Sequence, residues 1–174
     1  MIRKVLLLVF TISALFVNAQ DAIKWMTFEQ AVAKAEKTPK KIFIDVYTDW
    51  CGWCKKMDQT TFSNPVIAAY MNKNFYAVKL DAERQDTVVF QGHTFINSNP
   101  GKSRSSHQLA QALLQGKMSY PSYVFMDEDT KVISVVPGYY EANAFEPVMN
   151  YFGSNAFLNT EWPAYNESFK GSVK

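Results

Sequence analysis

The stretch Lys41-Ile42-Phe43-Ile44-Asp45-Val46-Tyr47-Thr48-Asp49-Trp50-Cys51-Gly52-Trp53-Cys54-Lys55-Lys56-Met57 holds the only two cysteines of the 174-residue chain. Residues 42–47 carry the β-branched and aromatic side chains of a central strand. Residues 54–59 read as a helix. A Cys-x-x-Cys at such a strand-to-helix junction suits reversible dithiol–disulfide chemistry. The first sulfur, Cys51, lies near the free N–H groups and positive end of the helix, which favours its thiolate. The second, Cys54, stands one turn along and can attack a mixed disulfide to release the partner.

Two other readings of the pair compete. A structural staple would close a loop too small to constrain the unfolded chain much. A metal site would need further ligands beyond two thiolates, and only His93 and His107 are available. Both histidines are read as surface or loop residues.

The N-terminus has the pattern of an export signal. Arg3 and Lys4 precede an apolar run over residues 5–17, and Val17-Asn18-Ala19 offers small residues for cleavage near Ala19. The run is too short to suit a permanent membrane anchor. Cleavage would leave residues 20–174, a length suited to a single domain with a sizeable core. The formal net charge of +2 rests on that leader. Without Arg3 and Lys4, the remaining 16 basic residues balance 16 acidic ones. No basic block interleaves with aromatics, so nucleic-acid binding has no support.

Outward from the cysteines, Thr27-Phe28-Glu29-Gln30 is a capping box for a helix over 27–37. Ser63-Asn64-Pro65 starts a second helical stretch through residue 72, and residues 76–81 form the next strand. This strand–helix–strand order predicts a parallel crossover. Residues 87–90 and 93–96 flank Gln91-Gly92 as a hairpin, and 97–101 form a loop. The pattern then predicts a helix over 105–115, an antiparallel pair at 123–126 and 132–136, and a helix over 144–152 with Pro147 in its first turn. In the tail, Thr160 is the expected cap of a short helix carrying Trp162, Tyr165 and Phe169, packed on the domain.

With Trp50-Cys51-Gly52-Trp53-Cys54-Lys55 at the first crossover, this order resembles the thioredoxin superfamily. Asp45, six residues before Cys51, falls where that family carries a buried acid, and Lys79 where it carries the acid's partner. Tyr120-Pro121 matches its cis-proline, and Gly138 precedes the last helix as the family pattern has it. The resemblance covers residues 24–153 and implies an α/β thioredoxin fold, a central mixed sheet flanked by helices. About forty residues separate Asp81 from Pro121, so the hairpin region 82–104 is an insertion. Residues 154–174 are a C-terminal extension with an extra helix.

The resemblance also implies roles. Cys51 attacks, and Cys54, the more buried, resolves. Asp45 accepts the resolving thiol's proton, tuned by Lys79; a structural ion pair is the alternative. Tyr120 and Pro121 present backbone to an extended substrate, while Trp50 and Trp53 form an apolar collar that could equally serve as packing. Trp53 replaces thioredoxin's proline, so the redox potential does not carry over, and the direction of reaction stays open. The expected activity is an exported, periplasmic thiol–disulfide oxidoreductase. It would reduce or isomerise protein disulfides with no cofactor or metal, and be recharged by a membrane thiol electron-transfer partner. A thioredoxin-fold binding or chaperone module with a static disulfide is the main alternative, and a peroxide-reducing thiol enzyme a third.

Overall fold

The computed structural model describes residues 22–174, so the stretch read as a leader lies outside the described residues. Thr27 accepts from the Gln30 N–H and Gln30 answers to the Thr27 N–H, the capping box that opens α1 (Phe28–Lys37). Then come β1 (Lys41–Tyr47), α2 (Gly52–Thr60), α3 (Pro65–Asn74) and β2 (Phe75–Asp81). Asn64 caps α3, and Pro65 occupies its first turn, where no N–H is needed. The insertion supplies β3 (Val88–Phe90) and β4 (His93–Phe95), followed by α4 (Gln108–Leu113). The chain closes with β5 (Ser122–Met126), β6 (Val132–Pro137), α5 (Ala142–Gly153), a 3-10 turn (Ala156–Leu158) and α6 (Trp162–Ser168).

The main sheet has the order β2-β1-β5-β6. β1 and β2 run parallel, while β5 and β6 each run antiparallel to the neighbour before them in that order. This is the expected mixed sheet flanked by helices. The inner strands are apolar on both sides because helices cover both faces. Ile42, Ile44 and Val46 of β1 point to the layer of α1, α4 and the hairpin. Phe43 points to the layer of α2, α3 and α5, where Phe62, Phe75, Tyr123, Phe125 and Phe145 surround it with ring centroids 5.3–6.3 Å away. Beyond β2, Met26 forms a single parallel bridge to Val78. Its N–H donates to Ala77 and its carbonyl accepts from Lys79, a cover for that edge which the sequence reading had not anticipated.

The hairpin forms in the expected register, Val88 opposite Phe95, through a turn with Gln91 and Gly92 both at positive φ. Phe90 meets Phe28 edge-on at 5.0 Å, so the hairpin lies over α1 as part of the core.

Four expectations need correction. The helix over 105–115 shrinks to α4, because Ser105 is held outside it: the Asn97 amide donates to the Ser105 carbonyl, and the Ser105 hydroxyl donates back to Asn97. Gln115 and Gly116, both at positive φ, end the turn. His107 stands in the loop before α4, as the reading allowed, but it is fully buried and not at the surface. Its Nδ1 accepts from the Leu109 N–H and its Nε2 meets the Asp86 carbonyl, so it caps α4 and ties it to the insertion. Pro147 is the sixth residue of α5, because the helix starts at Ala142, two residues before the expected start. Thr160 does not cap α6; its carbonyl accepts from the Tyr151 hydroxyl, and Glu161 holds the cap position. The tail otherwise packs as expected, with Trp162 and Tyr165 against Tyr151.

Past α6 the chain is strapped to α5. The buried carboxylate of Glu146 accepts from the backbone N–H groups of Ser172 and Val173. At the end of α5, Gly153 sits against Tyr70 and Phe75. A Cβ there would lie 2.7 Å from the Tyr70 hydroxyl and 2.9 Å from its ring. Gly153→Ala is therefore expected to lower stability by about 1–3 kcal/mol through overpacking, measurable by urea denaturation.

Candidate active site

The site lies where β1 gives way to α2, at one end of the sheet. The Thr48 carbonyl accepts from the Cys51 N–H, and Cys51 takes the N-cap position of α2. Its sulfur accepts from the Cys54 N–H at 3.0 Å, one of the donors a helix start leaves unpaired. Cys51 and Cys54 are joined as a disulfide. Cys51 is 5% exposed and Cys54 2%, so in the oxidised state exposure hardly separates the expected attacking sulfur from the resolving one.

Above the disulfide stands an aromatic rim. Trp50 and Trp53 are 50% and 56% exposed, so neither ring is buried in the core. Trp50 meets Tyr120 edge-on at 5.8 Å, and its indole N–H donates to Glu83. Trp53 lies 5.1 Å from Tyr139. Trp53, Tyr120, Pro121, Gly138 and Tyr139 line a shallow groove of about 210 Å³. The Tyr120–Pro121 peptide is cis. The Pro121 carbonyl accepts from the Gly138 N–H, and Gly138 has φ +101°, a conformation that a side chain would strain. The Tyr120 N–H and C=O have no backbone partner among the described residues.

Below the rim, Asp45 and Lys79 face each other across the parallel β1–β2 pair. Lys79 donates to Asp45 Oδ2 at 2.6 Å and also to Asp58, one turn beyond Cys54 on α2. The rings of Trp25, Tyr47 and Phe62 stand 5.0–5.5 Å from the Lys79 ammonium. Asp45 is 1% exposed, and its Oδ1 has no hydrogen-bond partner among the described residues. Burial pushes the Asp45 carboxyl up to about 6, with Lys79 pulling the other way and Asp58 adding to the rise. Burial also works against the charge on Lys79, but the two carboxylates prevail and its pKa is raised. Tyr123, opposite Asp45 on β5, is held protonated by burial and by that carboxylate. A buried carboxyl with an unbonded oxygen and a pKa near neutrality can take up and return a proton.

The expected residues thus fall into two groups: the buried Cys51, Cys54 and Pro121 with the half-buried Tyr120 and the exposed Trp50 and Trp53 around the start of α2, and Asp45 paired with Lys79. The sequence reading missed Asp58, although its spacing of four from Cys54 puts it on the same flank of α2. It also missed Glu83, Tyr139 and Arg104, which reach the rim from separate loops and carry no local signal. Asp58→Asn removes a like charge and is expected to lower the Asp45 pKa. The carboxyl signal followed against pH in isotope-labelled protein would check this.

Comparison with known proteins follows the same lines. An "Uncharacterized protein B0495.5" of Caenorhabditis elegans is 26% identical over 154 residues, 88% of this chain and 19% of that protein. The "Thiol:disulfide interchange protein DsbD" of Pseudoalteromonas atlantica is 28% identical over 121 residues, 68% of this chain and 17% of that protein. The chain therefore spans under a fifth of each of these two relatives. A solved thioredoxin-fold protein from Helicobacter pylori superposes with a TM-score of 0.56 at 14% identity, covering 87% of this chain and 89% of that one. The profile of the thioredoxin-like domain family matches residues 28–153, most of the chain and all of the main sheet. The chain belongs to the thioredoxin-like domain family.

Proposed function

We propose that this protein is an exported thiol–disulfide oxidoreductase that reduces or isomerises disulfides of other proteins. In the dithiol state the Cys51 thiolate attacks a substrate disulfide and expels one substrate thiolate, which takes up a proton. Cys54 then gives its proton to Asp45 and attacks the Cys51 sulfur of the mixed disulfide. The second substrate thiol leaves, and Cys51–Cys54 closes. Two electrons pass from the protein to the substrate, and a donor dithiol must restore them. Lys79, held between Asp45 and Asp58, positions the acid and limits how far its pKa rises. Trp50 and Trp53 receive the apolar surroundings of the partner's sulfurs, and the unpaired Tyr120 backbone offers an edge for an extended segment.

The observation that carries the reading is the pairing of the two cysteines at the capped start of α2, directly beneath an exposed aromatic rim. The relative named as an interchange protein is consistent with it. Export to a periplasm, after cleavage near Ala19, and a membrane thiol protein as electron donor belong to the same proposal. Among the described residues no helix is long and apolar enough to cross a membrane. The low exposure of both cysteines favours the second reading, a binding module with a static disulfide.

One experiment decides between them: equilibration of the Cys51–Cys54 couple with dithiothreitol or glutathione buffers. A reduction potential near about −270 mV supports the reductase, and one near about −120 mV makes the protein an oxidant. A pair that does not equilibrate is the static module.

A further inference from the structure

Two cations stand on the tryptophan rings that flank the disulfide. The Lys56 ammonium lies 5.3 Å from the Trp53 ring and 5.1 Å from the Tyr139 ring. The Arg104 guanidinium lies 5.2 Å from the Trp50 ring. Among the described residues neither forms an ion pair, whereas the half-buried or buried Lys41, Lys79 and Arg84 all do. An aromatic face fixes a cation without neutralising it, so both charges remain available at the rim.

The Arg104 side is built for this. Its loop, residues 98–106, contains Lys102 and Arg104 and no carboxylate. Although exposed, the loop is tied at several points. Buried Asn97 donates to the Ser105 and Arg84 carbonyls, and the Gly101 N–H donates to the Gln85 side chain. Arg104 is held at φ +60° within it. Two carboxylates on the Trp50 side have work of their own: Glu83 accepts from the indole, and Asp81 accepts from the Glu83 N–H. Of the exposed carboxylates around the rim, Glu141 accepts from the Tyr139 hydroxyl and Asp58 pairs with Lys79, which leaves Asp49 to face the exposed Lys55, Lys56 and Arg104.

We propose that the partner of this site presents its reacting disulfide between acidic residues, with carboxylates on both sides that settle on Lys56 and Arg104. This rests on the oxidoreductase reading and specifies its substrate class: acidic segments of protein, selected by long-range attraction before the sulfurs meet. The insertion then serves recognition through Arg104, while its hairpin serves the core.

The test uses the reduced protein and three synthetic peptides, each with one internal disulfide flanked on both sides by Asp, Asn or Lys. At low salt the Asp peptide is expected to react roughly threefold to tenfold faster than the Asn peptide, and the Lys peptide more slowly. The spread is expected to collapse near about 1 M salt. Arg104→Glu and Lys56→Glu should each erase or invert the order. Lys73→Glu makes the same charge change in the last turn of α3, at the opposite end of the sheet from the cysteines; it should preserve the order. Equal rates for the three peptides, or an equal loss of preference in Lys73→Glu, would overturn the proposal. Exchange with uncharged dithiothreitol, measured on the same samples, separates the two levels. If the couple exchanges but the peptides show no order, only the acidic partner is wrong. If it does not exchange at all, the oxidoreductase reading falls and takes this proposal with it.

Discussion

Cys51→Ser is expected to reduce exchange with a protein disulfide to the uncatalysed rate, while Cys54→Ser stops it halfway. The reason is the order of the two attacks. Without the Cys51 sulfur there is no nucleophile at the helix start, and Cys54, 2% exposed, lies beneath it. Without Cys54, the first attack still forms a bond between Cys51 and the partner, but nothing inside the protein can break it. Cys54→Ser should therefore accumulate covalent adducts, seen on non-reducing gels and identified by mass spectrometry, that dissolve in excess thiol. Cys51→Ser should give none. Adducts from Cys51→Ser would reverse the two roles. Adducts from neither variant, with exchange also absent in the wild-type protein, would favour the static disulfide.

Asp45→Asn should separate activity from stability, moving them in opposite directions. Under the proposed mechanism, loss of the Asp45 carboxyl is expected to slow resolution by roughly a hundredfold near neutral pH. The wild-type rise in rate through pH about 6 should vanish with it. Stability follows from the sign of the shift. In the folded protein the carboxyl binds its proton more tightly than its ordinary value of 3.8 implies. The stabilisation this gives is full below that value and is lost as pH rises through about 6. At neutral pH the wild-type protein holds a buried carboxylate that Lys79 compensates only in part. The displacement from 3.8 to about 6 corresponds to about 3 kcal/mol at most. Asn, neutral at every pH, escapes this cost, and Lys79 keeps Asp58 as partner. The oxidised variant should therefore melt higher than wild type at pH 7.5, with the gain fading toward pH 4. A uniform loss of stability at all pH values would make Asp45–Lys79 a structural ion pair.

What could be read ahead of the structure follows from the range of each signal. The capping box at Thr27, the Asn64-Pro65 start of α3 and the Gln91-Gly92 turn are local, and each formed where its residues stood. The parallel pairing of β1 with β2 followed from the crossover, and it carried Asp45 and Lys79 into opposition. Some misses were made by partners outside the local pattern. Asn97 holds Ser105 out of the helix that its spacing predicted, and the fate of His107 depends on Asp86, 21 residues away. Residues such as Arg104 and Tyr139 reached the rim only because loops far apart in sequence close on the same tryptophans. The exposure of Trp50, which sequence left undecided, was settled by its place on the surface turn before α2.

Those tryptophans have an optical consequence. An excited indole loses energy by passing an electron to a disulfide beside it, so Trp50 and Trp53, each next to a bonded cysteine in the chain, are expected to be dim while the bond is closed. Opening the bond removes the acceptor and leaves two solvent-facing fluorophores to brighten. Trp25, packed on Phe62 under Lys79, and Trp162, on the C-terminal helix, supply a steadier background. The protein carries its own lamp, and its redox state can be followed without a label.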